Sequence, residues 1–268
     1  MKIGTRAFAR CNNLYLLEIK NAPVEIGSHA FVSCKGLIKA DLGNNIAEIG
    51  PYAFSYCSDL REIKIPQSIE TMGDGVFVNC TSLGKVTLPD NFKKISLKCF
   101  AGCENLKSVN MPKELEKIGK LAFAECESLE NAEMPKELKE IEEYAFKNCR
   151  KLSVIEIPLG VKNIGAEAFI GCKELKEVKY NAEKCKATRG NKRVFDFAYG
   201  ETKLTIGNLV QEIDDNLFRG MHLNSIKIPL NVSRVGKKAF ADSKTLSDVR
   251  LLSTGEINID NSAFDNTP

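Results

Sequence analysis

Ten cysteines and two histidines are the side chains of this sequence best suited to chemistry. A thiol beside an imidazole makes a nucleophile, clustered thiols and imidazoles hold a metal, and paired thiols close disulfides. Spacing decides among these. Cys11, Cys34, Cys57, Cys80, Cys103, Cys126, Cys149 and Cys172 follow one another at intervals of 23 residues, and no two of them show the Cys-x-x-Cys spacing of a metal knuckle. His29 and His222 are far apart in the chain, so neither a Cys-His nor a Ser-His-Asp arrangement is indicated. A phosphate-binding Gly-x-x-x-x-Gly-Lys loop is missing from the sequence. Carboxylates are abundant but fall at variable positions, as on a solvated surface. The sequence therefore assigns no catalytic, metal-binding or cofactor-binding residue and points away from an enzyme.

Composition bounds the rest. The 268 residues are 43% hydrophobic and 27% charged, which is globular and not disordered. Lys and Arg number 38 against 35 Asp and Glu, a net charge of +3, too small to imply sequence-specific nucleic acid. Nowhere does an apolar run approach the roughly 18–20 residues of a membrane span. Charged residues interrupt the first twenty positions, so no signal peptide is visible there.

The cysteine interval belongs to a repeat that runs the length of the chain. Phe8, Phe31, Phe54, Phe77, Phe100, Phe123, Phe146 and Phe169 are each 23 apart; after one slip of three residues the rail continues at Phe195, Phe218, Phe240 and Phe264. Ala usually precedes Phe, Cys follows by three, and Leu by three more, as in Ala30-Phe31, Cys34 and Leu37. Five residues before Phe stands Ile or a relative, often with Gly after it, as in Ile49-Gly50. The unit reads Leu-x-x-Ile-x-Ile-Pro-x-x-Ile-x-x-Ile-Gly-x-x-Ala-Phe-x-x-Cys, and residues 60–80, LREIKIPQSIETMGDGVFVNC, show it well.

Leu-x-x-Ile-x-Ile ends in period-2 alternation, the mark of a short strand with one buried face. Pro stops that strand because it has no N–H for the ladder. Gly admits a turn that a Cβ would hinder. Ala-Phe-x-x-Cys has helical spacing over one or two turns, too short to be stable alone. A unit of 23 residues cannot bury its own apolar side; stacking about eleven of them, Phe on Phe and Ile on Ile, makes a continuous core.

This unit resembles the BspA-like, or Treponema-type, subfamily of bacterial surface leucine-rich repeats, with eight units keeping Ala/Cys/Val-Phe-x-x-Cys-x-x-Leu in register. The resemblance implies an α/β fold: a right-handed horseshoe-shaped solenoid, with a parallel sheet on the concave face and short helices or turns on the convex side. It covers nearly all of residues 1–268, read as one solenoid domain with an irregular insertion at 181–203. Pro follows the strand, so the Asn ladder of the common leucine-rich repeat is absent.

Repeat position makes the cysteines structural. Eight share one slot and Cys99 takes the Ala slot before Phe100, so nine are expected as small buried hydrophobes. Neighbouring rungs at about 4.8 Å lie within disulfide reach, but the side chains would point into the core in parallel and pairing would break the repeat symmetry. Cys185, off the rail in the insertion, is the thiol expected to be accessible. Asn79-Cys80-Thr81 and Asn231-Val232-Ser233 match the glycosylation sequon, a pattern that matters only in a eukaryotic secretory pathway.

Surface remains as the seat of function. Two columns flank the buried strand position. One contains Asp41, Lys64, Glu156, Lys179, Thr205, Lys227 and Arg250, and the other Lys39, Glu62, Lys85, Glu177, Lys203 and Asp248. Opposite charges on neighbouring rungs suggest lateral pairing: Asp41 with Lys64, Lys39 and Lys85 with Glu62, Glu156 with Lys179. Toward the C-terminal third, Lys179, Lys203, Lys227 and Arg250 gather on the strands, and the insertion adds Lys184, Lys186, Arg189, Lys192 and Arg193. The candidate ligand surface is Lys179, Lys186, Arg189, Arg193, Lys203, Lys227 and Arg250, and the partner it suits is an acidic glycan or another protein.

Two functions compete. The family resemblance implies a non-catalytic recognition module for adhesion or host interaction, at the cell surface or secreted. The alternative is an intracellular, cytoplasmic scaffold for another protein, supported by the free-looking cysteine row and the lack of a visible signal peptide. Met1 enters halfway through a unit and Pro268 leaves just after Ala263-Phe264, so the chain reads as a piece of a longer protein without evident caps.

Overall fold

The computed structural model describes residues 2–20, 24–187, 192–195, 200–253 and 255–268. Each repeat closes one rung of a solenoid, and each rung contributes to two stacks of parallel strands. The first stack holds the Leu-x-x-Ile-x-Ile strands: Leu16–Glu18, Lys39–Asp41, Glu62–Lys64, Lys85–Thr87, Ser108–Asn110, Val154–Ile157, Glu177–Tyr180, Lys203–Ile206, Ser225–Ile228 and Asp248–Leu251. The rung between Asn110 and Val154 joins through an isolated bridge from Asn131 to Val154. The second stack holds the Ile-Gly strands, among them Ile46–Ile49, Lys117–Ile118, Glu140–Ile141, Asn163–Ile164 and Arg234–Val235. Register follows the repeat: Lys39 pairs with Glu62, and Lys117 with Glu140, each one period on.

The third side closes by turns. Among the described residues there is no α-helix, so the helical half of the expected α/β class is not found there. Backbone dihedrals give the reason. Residues two before and two after most rail Phe adopt positive φ, and most of them are not glycine, for example His29 at 57° and Ser33 at 57°, or Tyr144 at 58° and Asn148 at 57°. A left-handed residue every fourth position interrupts any right-handed helix. In exchange, N–H groups of each rung donate to carbonyls of the next: Phe31 to Ala53 at 2.8 Å, and Phe123 to Ala145 at 2.8 Å. The positive-φ residues join in, His29 N donating to Pro51 O at 2.9 Å and Ser33 N to Ser55 O at 2.8 Å. These bonds outweigh a one-turn helix, which would leave most of its end groups unpaired.

The Phe rail is the spine of the core. From Phe8 to Phe264 each ring stacks on the next, with centroids 5.0 to 6.1 Å apart. Ile, Leu, Ala and Cys of the repeat surround the rail and are almost wholly buried. The Gly after the Ile lets successive rungs touch: a Cβ on Gly165 would stand 2.3 Å from the backbone nitrogen of Glu143.

Among the described residues no two cysteines are joined in a disulfide. The ladder thiols donate to Phe carbonyls of the preceding rung, Cys57 to Phe31 O at 3.2 Å, Cys103 to Phe77 O at 3.1 Å and Cys149 to Phe123 O at 3.1 Å. The slot therefore asks for a small apolar group with one donor. Two expectations about the thiols are corrected. Cys185 is only 3% exposed. Its neighbour is the hydroxyl of the buried Tyr180, and burial pushes the Cys185 thiol up to about 12. Among the described residues the exposed thiol is Cys11, on the first rung.

The described part of the insertion stays in register with the rungs around it. Lys186 bridges to Asn163 and Lys184 to Glu212, so residues 184–186 carry the second stack across the interruption, and Phe195 bridges to Phe169 to keep the rail unbroken.

Candidate functional site

The outward face of the first stack is a regular surface, with two outward side chains per rung at a fixed period. Of the expected lateral pairs, Lys39–Glu62 forms at 3.1 Å and Lys64–Asp41 at 3.5 Å. Glu156 stands beside Lys179 in register but accepts instead from the Asn181 amide at 3.0 Å. Such exposed pairs contribute only a few tenths of a kcal/mol each.

In the C-terminal part of this face, Lys179, Thr205, Lys227 and Arg250 form one column, with Lys179 opposite Thr205 and Lys227 opposite Arg250. Lys203 belongs to the neighbouring column and pairs with Glu177 at 3.3 Å. Arg250 folds back on Asp248 at 2.9 Å. Lys179 and Lys227 are exposed and make no ion pair among the described residues.

The rest of the predicted basic surface does not join them. Lys186 sits on the second stack. Arg193 lies on the turn side, half-buried, 4.0 Å from Asp242. Arg189 falls outside the described residues. Sequence order places these three beside Lys179, but one rung winds around the whole cross-section, so residues a few positions apart end on different faces. His29 is half-buried and stacks on Tyr52 with centroids 5.2 Å apart.

Lys186 lines an open groove of about 950 Å³ on the second stack, together with Lys120, Glu142, Glu143, Lys192, Asp214 and Asp215. Its charges are largely committed to one another. Lys117 bonds Glu142 at 2.6 Å and Glu140 at 3.0 Å, Lys120 bonds Glu143 at 2.6 Å, and Arg234 bonds Asp215 at 2.7 Å and Asp214 at 3.3 Å. Burial opposes ionisation of Glu142, but hydrogen bonds from Lys117 and from the Lys120 N–H outweigh it and hold the carboxyl below its ordinary range. No three His, Cys, Asp or Glu side chains among the described residues are grouped to hold a metal, and no helix is long and apolar enough to cross a membrane.

A recess that the repeat pattern does not announce lies on the turn joining the two stacks. The residue after the Pro that ends the first strand is Gln67, Asp90, Lys113 or Lys136 in the earlier rungs but Leu159 or Leu230 later. Leu159, 47% exposed, and Leu209, 60% exposed, face each other across the rung that contains Asn181 and the buried Ala182. The signal in the sequence is the replacement of Pro-Leu by Asn181-Ala182, which leaves that rung short of side chain between its neighbours.

Comparison with known proteins agrees with this architecture. A leucine-rich repeat protein from Bacteroides ovatus superposes with a TM-score of 0.63 at 23% identity, over 99% of this chain and 80% of that one. A leucine rich cell surface protein from Faecalibacterium prausnitzii gives 0.63 at 23% identity, over 94% and 79%. At that identity the likeness shows the fold. Among curated proteins none matches. The family described as the BspA type leucine rich repeat region matches in six copies, over residues 1–107, 71–191 and 188–268, and the chain belongs to that family.

Proposed function

We propose that this chain is a non-catalytic recognition module acting in cell-surface adhesion or host interaction, with the C-terminal part of the first-stack face as its ligand surface. The observation that carries the reading is the exposed column of Lys179, Thr205, Lys227 and Arg250, in which Lys179 and Lys227 stand without an ion-pair partner among the described residues. Unpaired lysines at a fixed period attract an acidic surface, a sulfated glycan or an acidic protein, in a salt-dependent way. Lys is flexible and strongly hydrated, so each contact is weak and binding depends on many rungs acting together. Display at the surface draws support from the Faecalibacterium neighbour, itself described as a cell surface protein.

Retention on immobilised heparin at low salt tests the ligand surface, comparing the native chain with Lys179→Glu/Lys227→Glu. The sheet variant is expected to elute at lower salt than the native chain. No retention of the native chain, or equal retention of the native chain and the sheet variant, overturns the assignment. Antibody labelling of intact, unpermeabilised cells expressing the gene tests surface display, and signal only after permeabilisation refutes it.

A further inference from the structure

We propose that the recess between Leu159 and Leu209 is a docking notch for an extended segment of another protein, one that inserts a bulky apolar side chain and places carboxylates to one side of it. This rests on the reading of the chain as a recognition module and adds a second surface to it, with a partner chemistry.

The notch is an open recess of about 750 Å³. Its walls are apolar: Leu159, Leu209, Pro158 and Met134. Its floor is small and polar, Asn181 and Gly207, with the Asn181 oxygen so near Gly207 that an added Cβ would stand 2.4 Å away. Leu159 and Leu209 hold apolar surface in water here, a cost that earlier rungs avoid with Gln67, Asp90 and Lys113 at the Leu159 position and Ser68, Asn91 and Glu114 at the Leu209 position.

Charge fixes the direction of the partner. On the sheet side the notch is rimmed by Glu133 and Glu156. On the other side Leu159 and Lys136 continue into a second recess of about 770 Å³ that holds Lys162, Lys184 and Lys186. Its one carboxylate, Glu183, accepts from the Gln211 amide, and Lys184 reaches Glu212 at 3.8 Å. Lys162 and Lys186 are exposed and make no ion pair among the described residues. An apolar anchor in the notch with Asp or Glu a few residues toward Lys162 and Lys186 satisfies both recesses, while carboxylates on the opposite side meet Glu133 and Glu156. A recess walled by leucines, in place of a protruding leucine tip, suits an inserted side chain better than a lipid surface.

The test uses the full chain and a random peptide library on phage, selected at low salt, with the enriched consensus peptide then synthesised and its Kd measured by fluorescence anisotropy. The consensus is expected to hold one bulky apolar residue with acidic residues on one side. Leu159→Asn and Leu209→Asn are each expected to weaken it about tenfold or more, and Lys162→Glu/Lys186→Glu to weaken it and reduce its salt dependence. Both leucines are exposed, so the melting temperatures of these variants should match the native chain. Absence of enrichment, a consensus without acidic residues, or an affinity insensitive to both leucine substitutions overturns the notch. Peptides that depend on Lys179 and Lys227 but not on the leucines overturn it while leaving the recognition function standing. Sedimentation with phosphatidylglycerol vesicles that is lost in Leu159→Asn and Leu209→Asn reassigns the surface to lipid and overturns the protein segment.

Discussion

Raising the pH should unfold this protein in a window set by its thiols. Seven cysteines, Cys57, Cys80, Cys99, Cys103, Cys126, Cys149 and Cys185, are buried, and burial pushes each of them up, Cys80 and Cys185 to about 12 and the others further. In the unfolded chain a thiol ionises near its ordinary value of about 8.5. A folded value above the unfolded one leaves stability intact below about pH 8.5 and removes it as pH rises beyond, because only the unfolded state releases the proton. At about pH 9.5 each thiol costs about 1.4 kcal/mol, and the seven together about 10 kcal/mol. That equals the whole stability of an ordinary domain. Urea unfolding followed by circular dichroism, with reductant present, should show a midpoint that is flat from about pH 7 to 8 and falls steeply by about pH 9.5. Replacing two ladder thiols, as in Cys103→Ala/Cys126→Ala, should reduce the slope above about pH 9 by about 2.7 kcal/mol per pH unit, whatever it costs at neutral pH. A midpoint that stays level to about pH 9.5, or a slope unchanged in the double variant, would refute the view that these thiols are held neutral by the core.

Two further outcomes follow from the same core. Phe123 stacks on Phe100 at 5.4 Å and Phe146 at 5.2 Å, so Phe123→Ala should cost about 3–5 kcal/mol in chemical denaturation, and a loss below about 1 kcal/mol would remove the Phe rail from the core. Thiol titration of native protein should find Cys11 reacting first and Cys185 slowly, with all ten titrating after denaturation; fast labelling of Cys185, mapped by peptide mass spectrometry, would contradict its burial under Tyr180.

The sequence by itself determined the rung. A period of 23 residues with Phe, Cys, Leu and Ile in fixed slots leaves stacking as the only way to bury them, so the parallel register, the Phe spine, the cysteine slot and the two exposed columns were all readable in advance. Helix or turn on the third side was not readable, because Ala-Phe-x-x-Cys has the same spacing in either. The decision came from inter-rung backbone bonds, such as His29 N to Pro51 O, which require positive φ at residues whose types do not announce it. Burial of Cys185 was hidden for a similar reason: its thiol lies beside the Tyr180 hydroxyl, a contact that the 23-residue period does not encode. The candidate site divided in the same way. Lys179, Lys227 and Arg250 share a face because the period puts them there. Lys186 and Arg193 left it because a chain that winds around a core carries near sequence neighbours to different sides. The notch at Leu159 and Leu209 exists only once three rungs are stacked and the middle one has small side chains at its turn, which is a property of the assembled solenoid and of no single repeat.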